Sequence, residues 1–171
     1  MELSIATRLL QKGVDVTIKE PAWADLGAGS GLFTKALSSL LSSGIIYAVD
    51  KDNTSFINND QTSARIQKAK QDFTKELAIE QCDGILMANS LHYVSDKQIF
   101  IHKIKQKLKK TGVMIVIEYE RSNANPWVPY PIKFHELEKL MIATGFSSVQ
   151  KIEETPSSFD RSMIYSALVR Q

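Results

Sequence analysis

The sequence of 171 residues has little of several features that mark particular classes of protein. Its single cysteine, Cys82, excludes an intrachain disulfide, and three histidines without paired cysteines do not indicate a structural zinc site. No apolar run approaches the ~18 residues that cross a bilayer. The first residues, which include Glu2, lack the basic and apolar regions of a secretory signal. We therefore expect a cytoplasmic protein with no membrane partner and no metal.

An excess of charge of one sign is also missing. Lysine and arginine number 21 against 19 acidic residues, and a net charge of +2 is too small to indicate a nucleic-acid partner. In the basic stretch from Lys103 to Lys110, apolar Ile104 and Leu108 recur between the lysines, which is typical of the exposed face of an amphipathic helix. We expect no nucleic-acid partner, and a homodimer stays an open alternative.

The overall composition is that of a folded protein. Hydrophobic residues make up 43% and charged residues 23%, which is far from the composition of a disordered chain. At ~100–200 residues per domain, the length fits one domain over residues 1–171. We expect this domain to begin with a short helix within residues 1–20.

Short apolar segments alternate with helical patterns, which indicates βαβ units and a doubly wound α/β sheet. Unbroken apolar runs of ~4–8 residues are typical of parallel strands that are buried on both faces. The last two strands are too close in sequence for a helical crossover and therefore pair antiparallel. The prediction is a Rossmann-like, seven-stranded, mostly parallel sheet with an antiparallel final edge hairpin. Its strands are Ala22–Leu26, Ile45–Val49, Ala64–Lys68, Gly84–Ala88, Val113–Glu118, Val149–Glu153 and Met163–Val169.

The helical patterns have start and stop signals. The first helix begins after Gly31 at the end of a glycine-rich stretch. The second begins at Ser95 or Asp96, either of which can cap it, and is predicted to end at Thr111–Gly112. The third ends at Gly145.

The strongest functional signal is the stretch DLGAGSG, which runs from Asp25 to Gly31 between the first strand and the first helix. Alternate glycines let the backbone turn sharply and approach a ligand where a Cβ would collide. In open α/β sheets, ligands lie outside the carboxyl ends of the strands, where this loop must be. The dinucleotide fingerprint G-x-G-x-x-G fails here, because Leu32 stands at the third glycine position. The spacing therefore argues against NAD.

This D-x-G-x-G-x-G stretch resembles the first motif of the class I S-adenosylmethionine-dependent methyltransferases, and the resemblance covers the chain from about Ala22 to the C-terminus. It implies S-adenosylmethionine as the cofactor and S-adenosylhomocysteine as the product. It also implies that Asp25 helps to position the methionyl amine of the cofactor. The residues of the turn that approach the same part of the cofactor are Gly27, Ala28, Gly29 and Gly31.

Two further positions are candidates for binding the nucleoside. Asp50, with Lys51 beside it, ends the second predicted strand. Its carboxylate can accept hydrogen bonds from both ribose hydroxyls, which NAD and S-adenosylmethionine share, and the alternative is a helix-capping acid. The resemblance places Asp72 and Phe73 at the adenine-binding position, where the alternative is a solvated loop acid.

Asn89, His92 and Tyr93 follow the fourth predicted strand, and a similar Asn-x-x-His segment occurs there in many small-molecule methyltransferases of this class. The resemblance implies that Asn89 contacts the cofactor and that His92 and Tyr93 are the catalytic residues, with His92 facing the acceptor. An imidazole titrates close to neutral pH and can remove the acceptor's proton. The alternative is a histidine that packs or binds substrate without acid–base work.

These motifs predict a methyltransferase for a small-molecule acceptor. Methylation of nucleobase amines in this fold typically uses Asn/Asp-Pro-Pro-aromatic where Ser90-Leu91 stands, and methylation of cytosine carbon needs a cysteine there, whereas Cys82 is at the strand's opposite end. A cofactor-binding module without activity, or a subunit completed by a partner, is the alternative, because only about twenty residues precede the first strand. An NAD-linked oxidoreductase is less well supported by the glycine spacing.

A proline-rich loop, residues 121–131, follows the fifth predicted strand. A long loop at this place is typical of a functional loop on the substrate side of a site. Its aromatic residues, Trp127 and Tyr130, either wall the acceptor side or tie the loop to the core. The sequence leaves both interpretations open.

Overall fold

In a computed structural model, which describes residues 1–52, 63–159 and 162–171, the chain forms a seven-stranded sheet. The strands are β1 (Ala22–Leu26), β2 (Ile45–Asp50), β3 (Arg65–Lys70), β4 (Cys82–Ala88), β5 (Leu108–Tyr119), β6 (Ser148–Pro156) and β7 (Met163–Arg170). Their order in the sheet is β3-β2-β1-β4-β5-β7-β6. Neighbours from β3 to β5 are parallel, and β7 pairs antiparallel with both β5 and β6. The predicted fold class is confirmed.

Helices cover both faces of the sheet, which explains the unbroken apolar runs of the central strands. The helices are α1 (Leu3–Gln11), α2 (Leu32–Leu40), α3 (Lys97–Lys105) and α4 (Phe134–Ala143). Successive residues of a strand point to opposite faces, so Ile85 packs with α3 and α4 while Leu86 packs with α1 and α2. Met114 and Ile115 of β5 divide in the same way. Within the described residues, no helix is long and apolar enough to cross a membrane.

The start of α3 agrees with the capping signal in the sequence, but its end does not. The side chain of Asp96 accepts a hydrogen bond from the amide of Ile99 at 3.0 Å, as an N-cap residue does. The helix then ends at Lys105, so the prediction that it continues to Thr111–Gly112 is wrong.

The reason is that β5 begins earlier than predicted. Leu108, which the sequence pattern assigned to the helix, is the first residue of β5 and pairs with Cys82 of β4. Residues 109–112 of β5 face a single residue of β4, Asp83, and therefore form a bulge. Regular pairing resumes at Val113, which pairs with Gly84. Leu108 is buried in the core as a strand residue, and an apolar residue at this position also fits the helical spacing, so apolar periodicity could not tell the two conformations apart.

The loop between β5 and α4 contains the predicted proline-rich segment. Trp127 is 77% exposed and Tyr130 46% exposed, so neither is a buried core aromatic. The amide of Tyr130 donates to the carbonyl of His92 at 3.0 Å, and the ammonium of Lys97 donates to the carbonyl of Tyr130 at 2.7 Å. Hydrogen bonds to and from the backbone of Tyr130 therefore tie this loop down, and the ammonium of Lys97 also lies 5.6 Å from the centroid of the Tyr130 ring.

Candidate active site

A cavity of about 930 Å³ opens at the carboxyl ends of the parallel strands, near the upper end of the ~300–1,000 Å³ range of ligand sites. The carboxylate half of this cavity contains the charged side chains near the carboxyl ends of β1, β2 and β3, together with the glycine turn and Asn89. The acceptor half is formed by Tyr93 and by the lining residues of β5, of β7 and of the turn between β6 and β7. Of the predicted catalytic and cofactor-binding residues, Gly31 and His92 lie outside the lining, as do Trp127 and Tyr130 of the proline-rich loop. Those that line it are Asp25, Gly27, Ala28, Gly29, Asp50, Lys51, Asp72, Phe73, Asn89 and Tyr93.

A left-handed backbone forms the glycine turn. Gly27 and Gly29 have φ angles of 82° and 52°, and the amides of Gly27 and Ala28 donate to the carbonyl of Val49 at 2.8 and 3.0 Å. A Cβ on Gly27 would lie 2.6 Å from the Cβ of Ser90. A Cβ on Gly29 would meet nothing closer than the carbonyl oxygen of Gly27 at 3.9 Å, beyond its chain neighbours. The backbone at Gly29 is therefore a cradle that a ligand can approach closely.

Gly31 has a different task in the same loop. It has a φ of 79° and immediately precedes α2, and its amide donates to the carbonyl of Ala28 at 2.8 Å. It turns the chain from the loop into the helix. The structure therefore places it outside the cavity lining, although the resemblance assigned it to the cofactor.

Asp50 ends β2 and already uses both carboxylate oxygens. Its Oδ2 accepts from the amide of Gly29 at 2.8 Å, and its Oδ1 accepts from the amide of Asp52 at 3.0 Å. Each oxygen keeps a second lone pair that can accept from a ligand hydroxyl. A helix that Asp50 would cap falls on residues 53–62, which lie outside the described residues.

Asp25 lies at the inner wall of the cavity and is 1% exposed. Its Oδ2 accepts from the hydroxyl of Thr34 on α2 at 2.6 Å. Burial raises the pKa of Asp25 to about 7, against the lowering effect of the Thr34 hydrogen bond and with a further rise from the charge of Asp50. A cationic group placed beside Asp25 would favour its ionised form. The residue is therefore suited to hold an ammonium group.

Asn89 carries the most direct sign of a ligand. It is a non-glycine residue with a positive φ of 53°, a strained conformation that concentrates at functional sites. Its side-chain Oδ1 is buried and has no hydrogen-bond partner within the described residues, although its backbone amide donates to the carbonyl of Ile117 at 2.8 Å. A buried acceptor without a donor costs about 1–3 kcal/mol. A hydrogen-bond donor on a ligand would remove that cost.

Asp72 and Phe73 follow β3 at the far end of the carboxylate half. The Oδ1 of Asp72 accepts from the hydroxyl and the amide of Thr74 at 2.6 and 3.0 Å, and the hydroxyl hydrogen bond is the main cause that lowers the pKa of Asp72. Phe73 packs edge-on against Phe100 with ring centroids 5.9 Å apart. This corner offers an ionised carboxylate and an aromatic ring, which suit a flat nitrogen heterocycle.

His92 lies outside the lining and forms a buried pair with Glu118. Its Nδ1 is 2.7 Å from Oε2 of Glu118, its backbone amide donates to Oε1 at 3.1 Å, and both side chains are at most 3% exposed. The ring centroids of Tyr93 and Tyr119, which do line the cavity, are 4.5 and 6.2 Å away. The direct exposure of His92 to the acceptor is therefore not seen, and its catalytic role stays a prediction.

Several residues at the site were missed by sequence reasoning. Glu118 had a signal, because an acid ends the apolar run of β5 at the ligand-binding edge of the sheet. The sequence held no signal for Thr34, which lies within a helical pattern, or for Phe159, which lies in the turn between β6 and β7. Their places depend on contacts between distant parts of the chain.

Sequence comparison decides the family of the protein. The profile of the family described as "Methyltransferase domain" matches residues 24–116, which is more than half of the chain. The chain belongs to this methyltransferase family. The match contains the glycine turn and every nominated residue up to Tyr93. The predicted methyltransferase family and enzyme class are thereby confirmed, and S-adenosylmethionine or S-adenosylhomocysteine, the predicted cofactor and product, is bound in similar solved structures. A search of curated proteins finds no match.

Solved structures similar to this methyltransferase share its fold at low sequence identity. The 1,6-didemethyltoxoflavin-N1-methyltransferase of Burkholderia thailandensis, solved with 1,6-didemethyltoxoflavin and S-adenosylhomocysteine, aligns with a TM-score of 0.70 and 16% identity over 99% of this chain and 78% of its own. Magnesium protoporphyrin IX methyltransferase of Synechocystis, with bound S-adenosylmethionine, aligns with 0.66 and 17% over 98% and 77%. Human N-acetylserotonin methyltransferase aligns with 0.69 and 18% over 98% and 52%, so this chain spans about half of that protein.

Proposed function

We propose that this methyltransferase transfers a methyl group from S-adenosylmethionine to a small molecule bound in the acceptor half of the cavity. The observation that carries the proposal is the set of hydrogen-bonding groups around the carboxylate half. It combines a buried carboxylate at Asp25, an accessible backbone at Gly29 and, at Asn89, a buried acceptor that receives no donor from the described part of the chain. These groups fit a ligand with an ammonium group and several hydrogen-bond donors.

The ammonium, the ribose and the adenine of the cofactor each have matching residues in the proposal. Asp25 holds the methionyl ammonium, and the glycine turn lies against the same part of the molecule. Asp50 accepts from the ribose hydroxyls through lone pairs that its protein partners leave free. Asp72 and Phe73 bind the adenine, and Asn89 accepts a further hydrogen bond from the cofactor through its buried Oδ1.

In the proposal, the residues of this chain act mainly by positioning the acceptor and the cofactor. When bound, S-adenosylmethionine supplies the electrophilic methyl group and the leaving group, so the protein is left with orienting the acceptor and excluding water. In the proposal, Glu118 fixes the proton of His92 on Nδ1 by its hydrogen bond at 2.7 Å. That tautomer leaves the lone pair of Nε2 free to accept a proton, as a general base requires.

The proposal is tested by incubating the protein with metabolite mixtures and S-adenosylmethionine labelled in its methyl group. A labelled small-molecule product identifies the acceptor and establishes the activity. Label that appears only on protein or nucleic acid would contradict a small-molecule acceptor. An Asp50→Ala variant, which lacks the predicted ribose acceptor, is the matched control for cofactor-dependent labelling.

A second candidate is a cofactor-binding subunit that is inactive without a partner. The burial of His92 and its absence from the lining favour it. This candidate predicts binding of S-adenosylhomocysteine by the isolated chain and no methyl transfer to any metabolite. Labelled product from the isolated chain would exclude it.

A further inference from the structure

Three aromatic rings line the acceptor half of the cavity. Tyr93 lies just after β4, Tyr119 ends β5, and Phe159 stands in the turn between β6 and β7. Tyr119 pairs directly with Ile164 of β7, another lining residue, and paired side chains of antiparallel strands lie on the same face. Elements that are distant in sequence therefore bring aromatic and apolar groups together at one edge of the sheet.

Two of these rings expose a large area to solvent. Phe159 is 84% exposed and Tyr93 is 51% exposed. A single exposed hydrophobic side chain is ordinary, but these two belong to the same cavity as Tyr119. Trp127 provides a contrast, because it is 77% exposed and does not line the cavity. The cavity therefore presents apolar ring surface that a bound molecule would remove from water.

The two halves of the cavity also differ in charge. The carboxylate half contains Asp25, Asp50 and Asp72, together with Asp52 and Lys51. Within the described residues, no charged side chain lines the acceptor half. Burying an ion without a counter-ion is costly, and the neighbouring carboxylates would repel an anion. The occupant of this half is therefore expected to carry no negative charge.

We infer that the methyl acceptor is a planar aromatic or heteroaromatic molecule without negative charge that packs against Phe159 and Tyr93. The inference rests on the proposed function, since it names the substrate class of the same site. Aromatic rings gain from stacked or edge-to-face packing beyond the area they bury, and saturated rings of the same size do not. Planarity, rather than hydrophobicity alone, is thus the property that the site selects.

The test measures binding to protein that is saturated with S-adenosylhomocysteine. The probes are 2-naphthol, its saturated counterpart decahydro-2-naphthol and the anion 2-naphthoate, with dissociation constants from saturation-transfer NMR. We expect 2-naphthol to bind at least about fivefold more tightly than the other two. Phe159→Leu keeps a hydrophobic side chain without the ring and should weaken 2-naphthol binding about three- to tenfold. Tyr93→Leu should act in the same direction.

Trp127→Leu is the matched control, since it removes an exposed aromatic ring outside the cavity, and it should leave 2-naphthol binding unchanged. Any of three results would overturn the inference. They are equal affinities for 2-naphthol and decahydro-2-naphthol, equal effects of Phe159→Leu and Trp127→Leu on 2-naphthol binding, and no 2-naphthol binding at millimolar concentration. Calorimetric titration of the same samples with S-adenosylhomocysteine distinguishes a failure of the aromatic subsite from a failure of the proposed function. If no S-adenosylhomocysteine binds, the proposed function is overturned. The aromatic subsite is then tested by titrating the free protein with 2-naphthol, and the same three results would overturn it.

Discussion

The carboxylate of Asp50 accepts a hydrogen bond from the backbone amide of Gly29 at 2.8 Å. The contact joins the end of β2 to the glycine turn that follows β1, and these two elements are expected to hold the ribose and the methionyl part of the cofactor, which are bonded to each other. A single carboxylate thus shapes the loop and also offers its remaining lone pairs to the ligand. Substitutions at Asp50 should therefore separate these two roles.

We predict that Asp50→Ala weakens binding of S-adenosylhomocysteine strongly and leaves the protein folded. The substitution removes acceptors for two ribose hydroxyls, and hydrogen bonds to a charged group contribute about 1.5–3 kcal/mol each. Asp50→Asn retains one oxygen for the amide of Gly29 and should lose less affinity. Calorimetry on both variants, with circular dichroism to confirm folding, measures the difference. An unchanged dissociation constant for a folded Asp50→Ala protein would show that this carboxylate only shapes the loop.

We predict that Asp25→Asn stabilises the ligand-free protein at pH 8 and not at pH 4. The pKa of Asp25 is raised from 3.8 to about 7 in the folded protein, mainly by burial. Between these values the folded state binds more protons than the unfolded state, so the free energy of unfolding falls as pH rises, by on the order of 4 kcal/mol in all. Asparagine has no charge to bury and can still accept from Thr34. The same variant should bind S-adenosylhomocysteine more weakly.

Urea unfolding of wild type and Asp25→Asn at both pH values measures this effect. Asp72→Asn is the control, because it should change the free energy of unfolding at pH 8 in the opposite direction. Hydrogen bonding from Thr74 lowers the pKa of Asp72. The Asp72 carboxylate therefore stabilises the folded state above its ordinary pKa, and its removal should destabilise the protein at pH 8. A gain from Asp25→Asn that is the same at pH 4 and pH 8 would contradict a raised pKa for Asp25 in the folded protein.

Much of the fold was predictable because the central strands are buried on both faces. The apolar segments around Ile85 and Ile115 are unbroken for that reason, and the short spacing before the last strand forced an antiparallel edge. The end of α3 was not predictable in the same way. Leu108 fits the apolar spacing of either a helix or a strand, and the strand pairing with Cys82 that decides between them is a long-range contact.

The carboxylate half of the site was predictable because its residues stand at the ends of strands. Asp25 and Asp50 follow apolar segments, and the carboxyl ends of parallel strands meet at one edge. The acceptor half depends on contacts between distant segments, so Phe159 carried no signal in the sequence. The orientation of His92 was also hidden, because its partner Glu118 is on another strand.

We predict that His92→Gln lowers turnover by about 10²–10⁴-fold with little change in cofactor affinity, since a general base contributes in that range. The loss should shrink as pH rises, because an acceptor that ionises by itself needs no base. Steady-state kinetics with the acceptor found by the labelling screen measures both effects. A raised KM with an intact kcat at every pH would show instead that His92 only binds or packs.

Glu118 provides a matched pair of variants for the same question. Glu118→Gln keeps an oxygen that accepts from Nδ1 of His92, whereas Glu118→Leu removes it. We expect Glu118→Gln to retain more activity than Glu118→Leu and to keep the pH profile of the wild type. Equal activities in the two variants would contradict a positioning role for Glu118.

We predict that Gly84→Ala destabilises the protein by about 1–3 kcal/mol without a direct effect on the site, as overpacking does. A Cβ on Gly84 would lie 2.4 Å from ring carbons of Trp23, which is 3% exposed and pairs with Gly84 across β1 and β4. In a Trp23→Leu background the same substitution should cost less. Urea unfolding of the four proteins forms a double-mutant cycle, and strictly additive costs would contradict the proposed clash.

Calorimetric titration of the wild-type protein with S-adenosylhomocysteine and with NAD tests the central claim most directly. The glycine spacing, the buried carboxylate of Asp25 and the buried acceptor of Asn89 predict saturable binding of S-adenosylhomocysteine with one site per chain. NAD should give no binding heat at a tenfold higher concentration. Binding of NAD with no heat from S-adenosylhomocysteine would contradict the account.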